Sequence, residues 1–285
     1  MNDTWTIRSV LGWTADYFNR RGVDAPRLTA EVLLAFVLQG TRVQLYVDLD
    51  RPLKPKELAA YRALIERRIS GEPTQYLTGT REFYGRPFAV DPRVLIPRPE
   101  TELLVDAALE AIPKDAPYRV LDLCTGSGCV AVTLAAERSN ATVFATELSP
   151  AACEVARSNA ATLKVGDRVR VLEGDLFGPL ERGSLFHVVV SNPPYVPSEE
   201  IAALAAEVRR EPRMALDGGR DGLEITRRLA DQAPSWLEPG GMLAVEISEG
   251  QGPEALRLLQ SAGLVRAGLR KDLSRLDRLV FGYKP

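Results

Sequence analysis

The sequence has little of what metal and redox chemistry usually requires: its 285 residues include one histidine, His187, and three cysteines, Cys124, Cys129 and Cys153. No second imidazole supports a metal site, no cysteines form a C-x-x-C pair, and an odd count fits no closed disulfide framework. The predicted state is reduced, metal-free and cytoplasmic. An excess of one charge is also missing. The 36 Lys and Arg nearly cancel the 38 Asp and Glu, and a net charge of -2 gives no bulk attraction to nucleic acid or an anionic membrane. The longest wholly apolar stretches, such as Val32 to Leu38, fall far short of the ~20 residues that cross a bilayer, so no membrane span is predicted. The opening MNDTWTIRSV lacks the basic stretch and apolar run of a signal peptide and reads as not exported. What remains, 45% hydrophobic and 26% charged residues with 22 Gly and 20 Pro, is an ordinary globular composition. The length suggests about two domains, each long enough to bury a core.

The first seventy residues read as helices. Ile7, Val10, Leu11, Thr14 and Phe18 keep three-and-four spacing up to Gly22; Leu28, Val32 and Phe36 repeat it up to Gly40, and Leu58, Tyr61 and Ile65 up to Gly71. Residues 1–72 carry 11 Lys and Arg against 9 Asp and Glu, too even a balance for a nucleic-acid module, so this small bundle is predicted to dock a partner. From Glu72 the texture turns to glycine, proline and aromatics. Alternation around Glu82 to Tyr84 and Phe88 to Val90 predicts a hairpin linker over 73–97, followed by a helix over roughly Glu100 to Ala111. Residues 98–285 form the third segment. Within it RVLDLC, ATVFATE, VRVLEGD, HVVVSN and MLAVEIS alternate with helical stretches, which implies a mostly parallel sheet covered on both faces. The last pair, Leu264 to Leu269 and Arg278 to Tyr283, has no helix between its members and is predicted as an edge hairpin.

The run from Val120 to Ala131 is a hydrophobic strand, a small-residue turn and a helix start. Glycine lets a ligand approach the backbone closely, and the carboxyl edge of such a sheet is where open α/β folds bind ligands. Gly126, Gly128 and Ala131 alone fit a dinucleotide fingerprint as well as another nucleoside ligand. Glu147, ending the second strand, suits ribose hydroxyls in either case, and Ser149-Pro150 after it reads as a helix start. A pyrophosphate prefers the positive end of a helix, whereas S-adenosylmethionine is cationic and carries no phosphate. Acidic Asp122 favours the cationic ligand. Asp175 is placed to meet an adenine amino group, with Leu176 or Phe177 covering a ring face.

Directly after the fourth strand comes Ser191-Asn192-Pro193-Pro194-Tyr195. Two consecutive prolines hold Asn192 and Pro193 in a rigid, extended arrangement whose carbonyls face something other than a strand. A planar NH₂ group supplies the missing donors: the Asn192 side-chain oxygen and the Pro193 carbonyl take its two hydrogens, while Tyr195 packs on its flat face. Gripping both hydrogens favours the pyramidal nitrogen of a methyl-transfer transition state, which a dehydrogenase would not need.

With these stretches in view, the chain resembles the HemK/PrmC family of release-factor glutamine N5-methyltransferases. The resemblance is carried by EPTQYLTGTREFYG, VLIPRPETELLVD, DLCTGSGCVA, SNPPYVP, EPRMALDGGRDGL and DLSRLDRLVFGY. It implies a class I S-adenosylmethionine-dependent methyltransferase, Rossmann-like with a mostly parallel seven-stranded sheet, joined to a small N-terminal helical bundle by a β-hairpin linker. It also implies methyl transfer from S-adenosyl-L-methionine to the glutamine of the Gly-Gly-Gln motif in class-1 peptide chain release factors. Cofactor contacts then fall on Asp122, Cys124, Thr125, Gly126, Ser127, Gly128, Glu147, Asp175, Leu176 and Asn192, and the substrate amide on Asn192, Pro193, Pro194 and Tyr195. No metal, nucleic acid or membrane is implied, and the chain is expected to act as a monomer. Cys124 stands where glycine is frequent in the family, Glu147 where aspartate is commoner, and Leu176 where some members place tryptophan.

The same NPP-aromatic signature serves a sister enzyme that modifies a large-subunit ribosomal protein and DNA adenine N6-methyltransferases. Pro97 to Glu102 resembles the release-factor branch, and the charge balance disfavours DNA. A catalytically idle module that merely recruits release factors would not need both the glycine turn and NPPY. Arg98, Glu100 and Thr101 read equally as a helix start or as groups closing over the cofactor, and Glu246 either as an edge carboxylate or as support for Asn192. His187, Cys129 and Cys153 read as structural, and Asp217 to Gly222 as a turn or a loop that orders on docking.

Overall fold

The apolar runs of the second half become strands whose side chains alternate between two hydrophobic layers, and the amphipathic runs of the first half become a separate helical unit. The computed structural model describes residues 5–112, 114 and 117–285; Met1–Thr4, part of the opening segment read above, lie outside the described residues. One compact unit comprises residues 1–79 together with Ala205–Arg210, the other Thr80–Leu204 and Glu211–Pro285.

The helical unit contains α1 (Ile7–Arg20), α2 (Pro26–Val37), α3 (Arg42–Val47), α4 (Pro55–Ile69) and α5 (Thr74–Thr78). Thr6 caps α1 by accepting from the backbone of Ser9, whose hydroxyl in turn accepts from the Thr6 N–H. Leu11, Phe18, Leu33, Leu34 and Tyr61 form its core, and the Tyr61 hydroxyl reaches the Ala30 carbonyl at 2.9 Å. The predicted inner face of α2 is corrected: Leu28 and Phe36 are exposed, while Ala30, Leu33 and Leu34 are buried. This helix is apolar nearly all round, so spacing alone does not choose its face. The boundary falls at Gly79 rather than Glu72, because Leu77 of α5 joins the bundle core. The far segment Ala205–Arg210 belongs to the same unit, where Glu207 pairs with the buried Arg68 and Arg210 donates to the Ser70 carbonyl.

The second unit opens with the hairpin β1 (Thr80–Phe83) and β2 (Arg86–Ala89). Tyr84 and Gly85 both take positive φ, 50° and 70°, as a two-residue hairpin turn requires. Rather than standing apart as a linker, the hairpin sends Phe83 and Phe88 edge-to-face into the core beside Leu104 and Val105. After a 3₁₀ turn at Pro99–Thr101 come α6 (Glu102–Ala111), β3 (Tyr118–Leu123), α7 (Cys129–Glu137), β4 (Ala141–Glu147), α8 (Pro150–Thr162), β5 (Val169–Glu173) and β6 (Phe186–Ser191). The chain closes with α9 (Glu224–Trp236), β7 (Leu237–Glu246), α10 (Gly252–Ser261), β8 (Val265–Lys271) and β9 (Asp277–Tyr283).

The seven strands lie in the order β5-β4-β3-β6-β7-β9-β8, parallel except where β9 pairs antiparallel with both β7 and β8. Val188 and Val190 join one core layer and Val189 the other, as strand alternation demands. Chain order reverses between β3 and β6, whose ends meet at the Leu123–Ser191 register, and ligands of open α/β sheets bind at such a switch point. Cys129 and Cys153 are buried on helices, and the His187 ring accepts from the Arg119 N–H at Nδ1 while packing on Tyr118. If the hairpin is part of this core, Phe88→Ala should lower the unfolding free energy by about 3–5 kcal/mol in urea titrations. A loss below about 1 kcal/mol would instead mark the hairpin as a free connector.

Candidate active site

The turn after β3 is shaped by backbone sterics. Cys124, Gly126 and Gly128 take φ of 60°, 55° and 79°. Cys124 therefore occupies the left-handed conformation that glycine adopts without strain, a strain of about 1 kcal/mol for a residue with a Cβ. Burial and the nearby Glu147 carboxylate push its thiol up to about 12, so it is no nucleophile at neutral pH. Space around Gly126 is open, whereas a Cβ at Gly128 would lie 3.1 Å from the Ala156 Cβ of α8. Gly126 thus leaves room for a ligand, and Gly128 exists for helix packing.

Two carboxylates hold this turn. Glu147 Oε2 accepts from the Gly126 N–H and Oε1 from the Ser149 N–H, both at 2.9 Å, and Ser149 caps α8. Asp122 Oδ2 accepts from the Thr125 hydroxyl at 2.6 Å and the Ala131 N–H at 3.1 Å. Burial pushes Asp122 up to about 7, those two bonds opposing the rise.

A cavity of about 290 Å³ opens over the turn. Of the residues singled out by sequence, Asp122, Cys124, Thr125, Gly126, Ser127, Glu147, Asp175, Leu176, Asn192 and Pro194 line it, while Gly128, Pro193 and Tyr195 do not. Asp175, half exposed, pairs with Arg228 of α9 at 2.5 Å. Leu176 faces the cavity, and Phe177 is turned into the core against Trp236. Arg93, Val94, Leu95 and Pro97 of the strap before the 3₁₀ turn, and Met214, also line the cavity and carry no site role in the sequence reading. The buried Glu211 holds that strap by accepting from the Ile96 N–H and from Arg98. Its position within the EPRMAL stretch was the available signal.

Asn192 follows the end of β6, where Ser191 donates to the Leu123 carbonyl at 2.8 Å. The Asn192 Nδ2 donates to Thr101 Oγ1 at 3.0 Å, and its Oδ1 is buried without a hydrogen-bond partner among the described residues. Tyr195 is turned away from the cavity toward the buried Glu246, and burial beside that carboxylate raises its phenol. The segment Asp217–Gly222 buttresses this corner. A Cβ at Gly218 would come within 2.7 Å of the Pro194 carbonyl oxygen, and one at Gly222 still closer to that of Tyr195, to which Gln251 donates at 3.0 Å. Glu246 is pushed up to about 7 by burial, against contacts with the Thr101 and Tyr195 hydroxyls.

The PrmC N-terminal domain family matches residues 9–79 and the methyltransferase small domain family residues 100–219. A release factor glutamine methyltransferase of Geobacter sulfurreducens is 46% identical over 281 residues, 98% of this chain and 97% of that protein. One of Moorella thermoacetica is 42% identical over 280 residues, 98% of this chain and 99% of that protein. Among solved structures, a methyltransferase from Pyrococcus furiosus aligns over 78% of this chain and 97% of its own with a TM-score of 0.54 at 19% identity, a likeness of fold alone.

The site's buried acids carry a stability signature. Asp122 and Glu246, both near 7 when folded, keep their protons to higher pH than in the unfolded chain, where carboxyls titrate near ~4. Between about pH 4 and 7 these two groups hold more protons in the folded chain than in the unfolded one, so their contribution to stability falls as pH rises. Asp122→Asn should flatten that fall by up to about 1.4 kcal/mol per pH unit in denaturant titrations, and an unchanged slope would contradict the assignment.

Proposed function

The chain belongs to the release factor glutamine methyltransferase family, and from that premise we propose that it methylates N5 of the Gly-Gly-Gln glutamine in class-1 peptide chain release factors. One observation carries this reading: an unpartnered, buried Asn192 Oδ1 at a residue lining the cavity. A buried acceptor without a donor costs about 1–3 kcal/mol, which a carboxamide N–H returns on binding.

The residues present fit S-adenosylmethionine. Gly126 leaves open space at the turn, Glu147 and Asp175 supply acceptors suited to ribose and to an adenine amino group, and Leu176 gives an apolar wall. When bound, that group supplies a methyl carbon on a positively charged sulfur. Asp122 and Glu147 set a negative field around the position of a cationic ligand. Asn192 Oδ1 takes one hydrogen of the glutamine amide; Pro193, whose carbonyl was expected from sequence to take the other, is buried and does not line the cavity. Holding that hydrogen favours the pyramidal nitrogen of the transition state, whose lone pair is withdrawn from the amide π-system. The glutamine nitrogen gains the methyl carbon as the carbon–sulfur bond breaks and its electron pair leaves on the sulfur, and the nitrogen then sheds one proton to water, so positioning carries most of the rate and no strong base is required. Tyr195 acts here from beneath the corner, beside Glu246, in place of the ring-stacking role expected from sequence. The helical unit helps to hold the release factor.

The reaction is tested by incubating the full chain with labelled S-adenosylmethionine and, in parallel, a release factor, large-subunit ribosomal proteins or DNA, then mapping the added mass. Label on the Gly-Gly-Gln glutamine is expected; label only on a ribosomal protein or on DNA adenine would overturn the substrate. Asn192→Ala should reduce turnover by at least ~10²-fold while the chain still unfolds in a cooperative transition. An Asn192→Ala chain that turns over normally would remove the site.

A further inference from the structure

We propose that Thr101 and Glu246 are positioning residues that fix which way round the Asn192 carboxamide sits, so that its oxygen and not its NH₂ group meets the substrate amide. This rests on the reading of Asn192 given above. The oxygen and nitrogen of a carboxamide are nearly equal in size, so packing cannot choose between the two orientations; only donors and acceptors around it can. Thr101 Oγ1, 3.0 Å from Asn192 Nδ2, is the one partner that the Asn192 side chain has among the described residues. A hydroxyl alone does not choose either, because it both donates and accepts.

The asymmetry comes from Glu246. This residue ends β7, the strand next to β6, and is 3% exposed; its carboxyl faces the hydroxyls of Thr101 and Tyr195, and its Oε2 has no donor. An ionised carboxylate only accepts. It draws the single Thr101 proton toward itself, leaving the Thr101 oxygen to accept from Asn192 Nδ2 and Asn192 Oδ1 turned outward. A protonated Glu246 can donate to Thr101, whose own proton is then free for Asn192 Oδ1. The carboxamide turns over and offers NH₂ to NH₂, a mismatch that repels the substrate amide. The chain of hydrogen bonds has two senses, and the charge on Glu246 selects one.

Burial and Glu100 oppose that charge, while Thr101, Tyr195 and Arg278 favour it, and Glu246 titrates near 7. Cys129 lies within its field, and Arg98 and Arg278 act on Tyr195. Activity therefore rises with pH as Glu246 loses its proton.

The test measures kcat at saturating S-adenosylmethionine and release factor from about pH 5.5 to 9, with the dissociation constant of S-adenosylmethionine measured alongside. The unmutated chain is expected to show kcat rising through an inflection near 7. Glu246→Gln should lose that inflection and turn over about 10- to 100-fold more slowly at pH 8, with donor affinity unchanged. Thr101→Val should fall by a similar factor, and Thr101→Ser, which keeps the hydroxyl, should recover to within ~3-fold of the unmutated rate. A flat kcat profile in the unmutated chain overturns the proposal, and this reading does not depend on any variant folding. So does an inflection that persists in Glu246→Gln, which belongs to Asp122. If Thr101→Val and Glu246→Gln turn over normally while Asn192→Ala is inactive, the positioning role fails and the methyltransferase reading stands. If the unmutated chain transfers no methyl group, both fall.

Discussion

The site depends on a buried carboxamide oxygen that has no donor among the described residues. Asn192 gives its NH₂ group to Thr101, and its Oδ1 remains buried and unpaired. Native structures tolerate few such atoms, because each forfeits the hydrogen bond it would make with solvent. The cost is sustained by rigid surroundings: two prolines follow Asn192, Ser191 is tied to Leu123, and Gly218 and Gly222 press against the carbonyls of Pro194 and Tyr195. Shifting the Asn192 backbone to bring Oδ1 to another donor would require all of these to move, so the carboxamide changes partners only by turning over against Thr101.

Sheet topology places that atom near the donor site. Reversal of strand order between β3 and β6 sets the carboxyl ends of those strands side by side, so the glycine turn and the NPPY corner open onto one cavity. The hairpin and the strap after it serve the same end from the other side. Asn159 links Ala89 of the hairpin to the Ser127 carbonyl of the turn, and Glu211 fixes Ile96 and Arg98. Segments far apart in sequence are therefore joined by hydrogen bonds around a single pocket.

Much of this was legible in the sequence wherever a local rule has one physical solution. A hydrophobic run ending in small residues must be a strand feeding a tight turn, and NPPY after a strand must be a stiff corner. The elements from β3 to β9 followed from such patterns, and most of the residues that the sequence singled out for the site do line the cavity. Other features were not legible because they are decided by tertiary neighbours. The inner face of α2 is set by which apolar stripe meets α1 and α4. Gly128 differs from Gly126 only because Ala156 lies against it, and Tyr195 faces Glu246 rather than the cavity. Thr101, read equally as a helix start or as a group closing over the cofactor, lines the cavity and meets Asn192, and Glu211 looks like a loop acid until the fold brings Ile96 to it.

The most direct test is a crystal structure of the chain with S-adenosylhomocysteine and a Gly-Gly-Gln peptide bound together. The account expects the glutamine amide nitrogen within about 3 Å of Asn192 Oδ1 and directed at the sulfur. A glutamine seated elsewhere, or an Asn192 oxygen still without a donor when both ligands are in place, would contradict it.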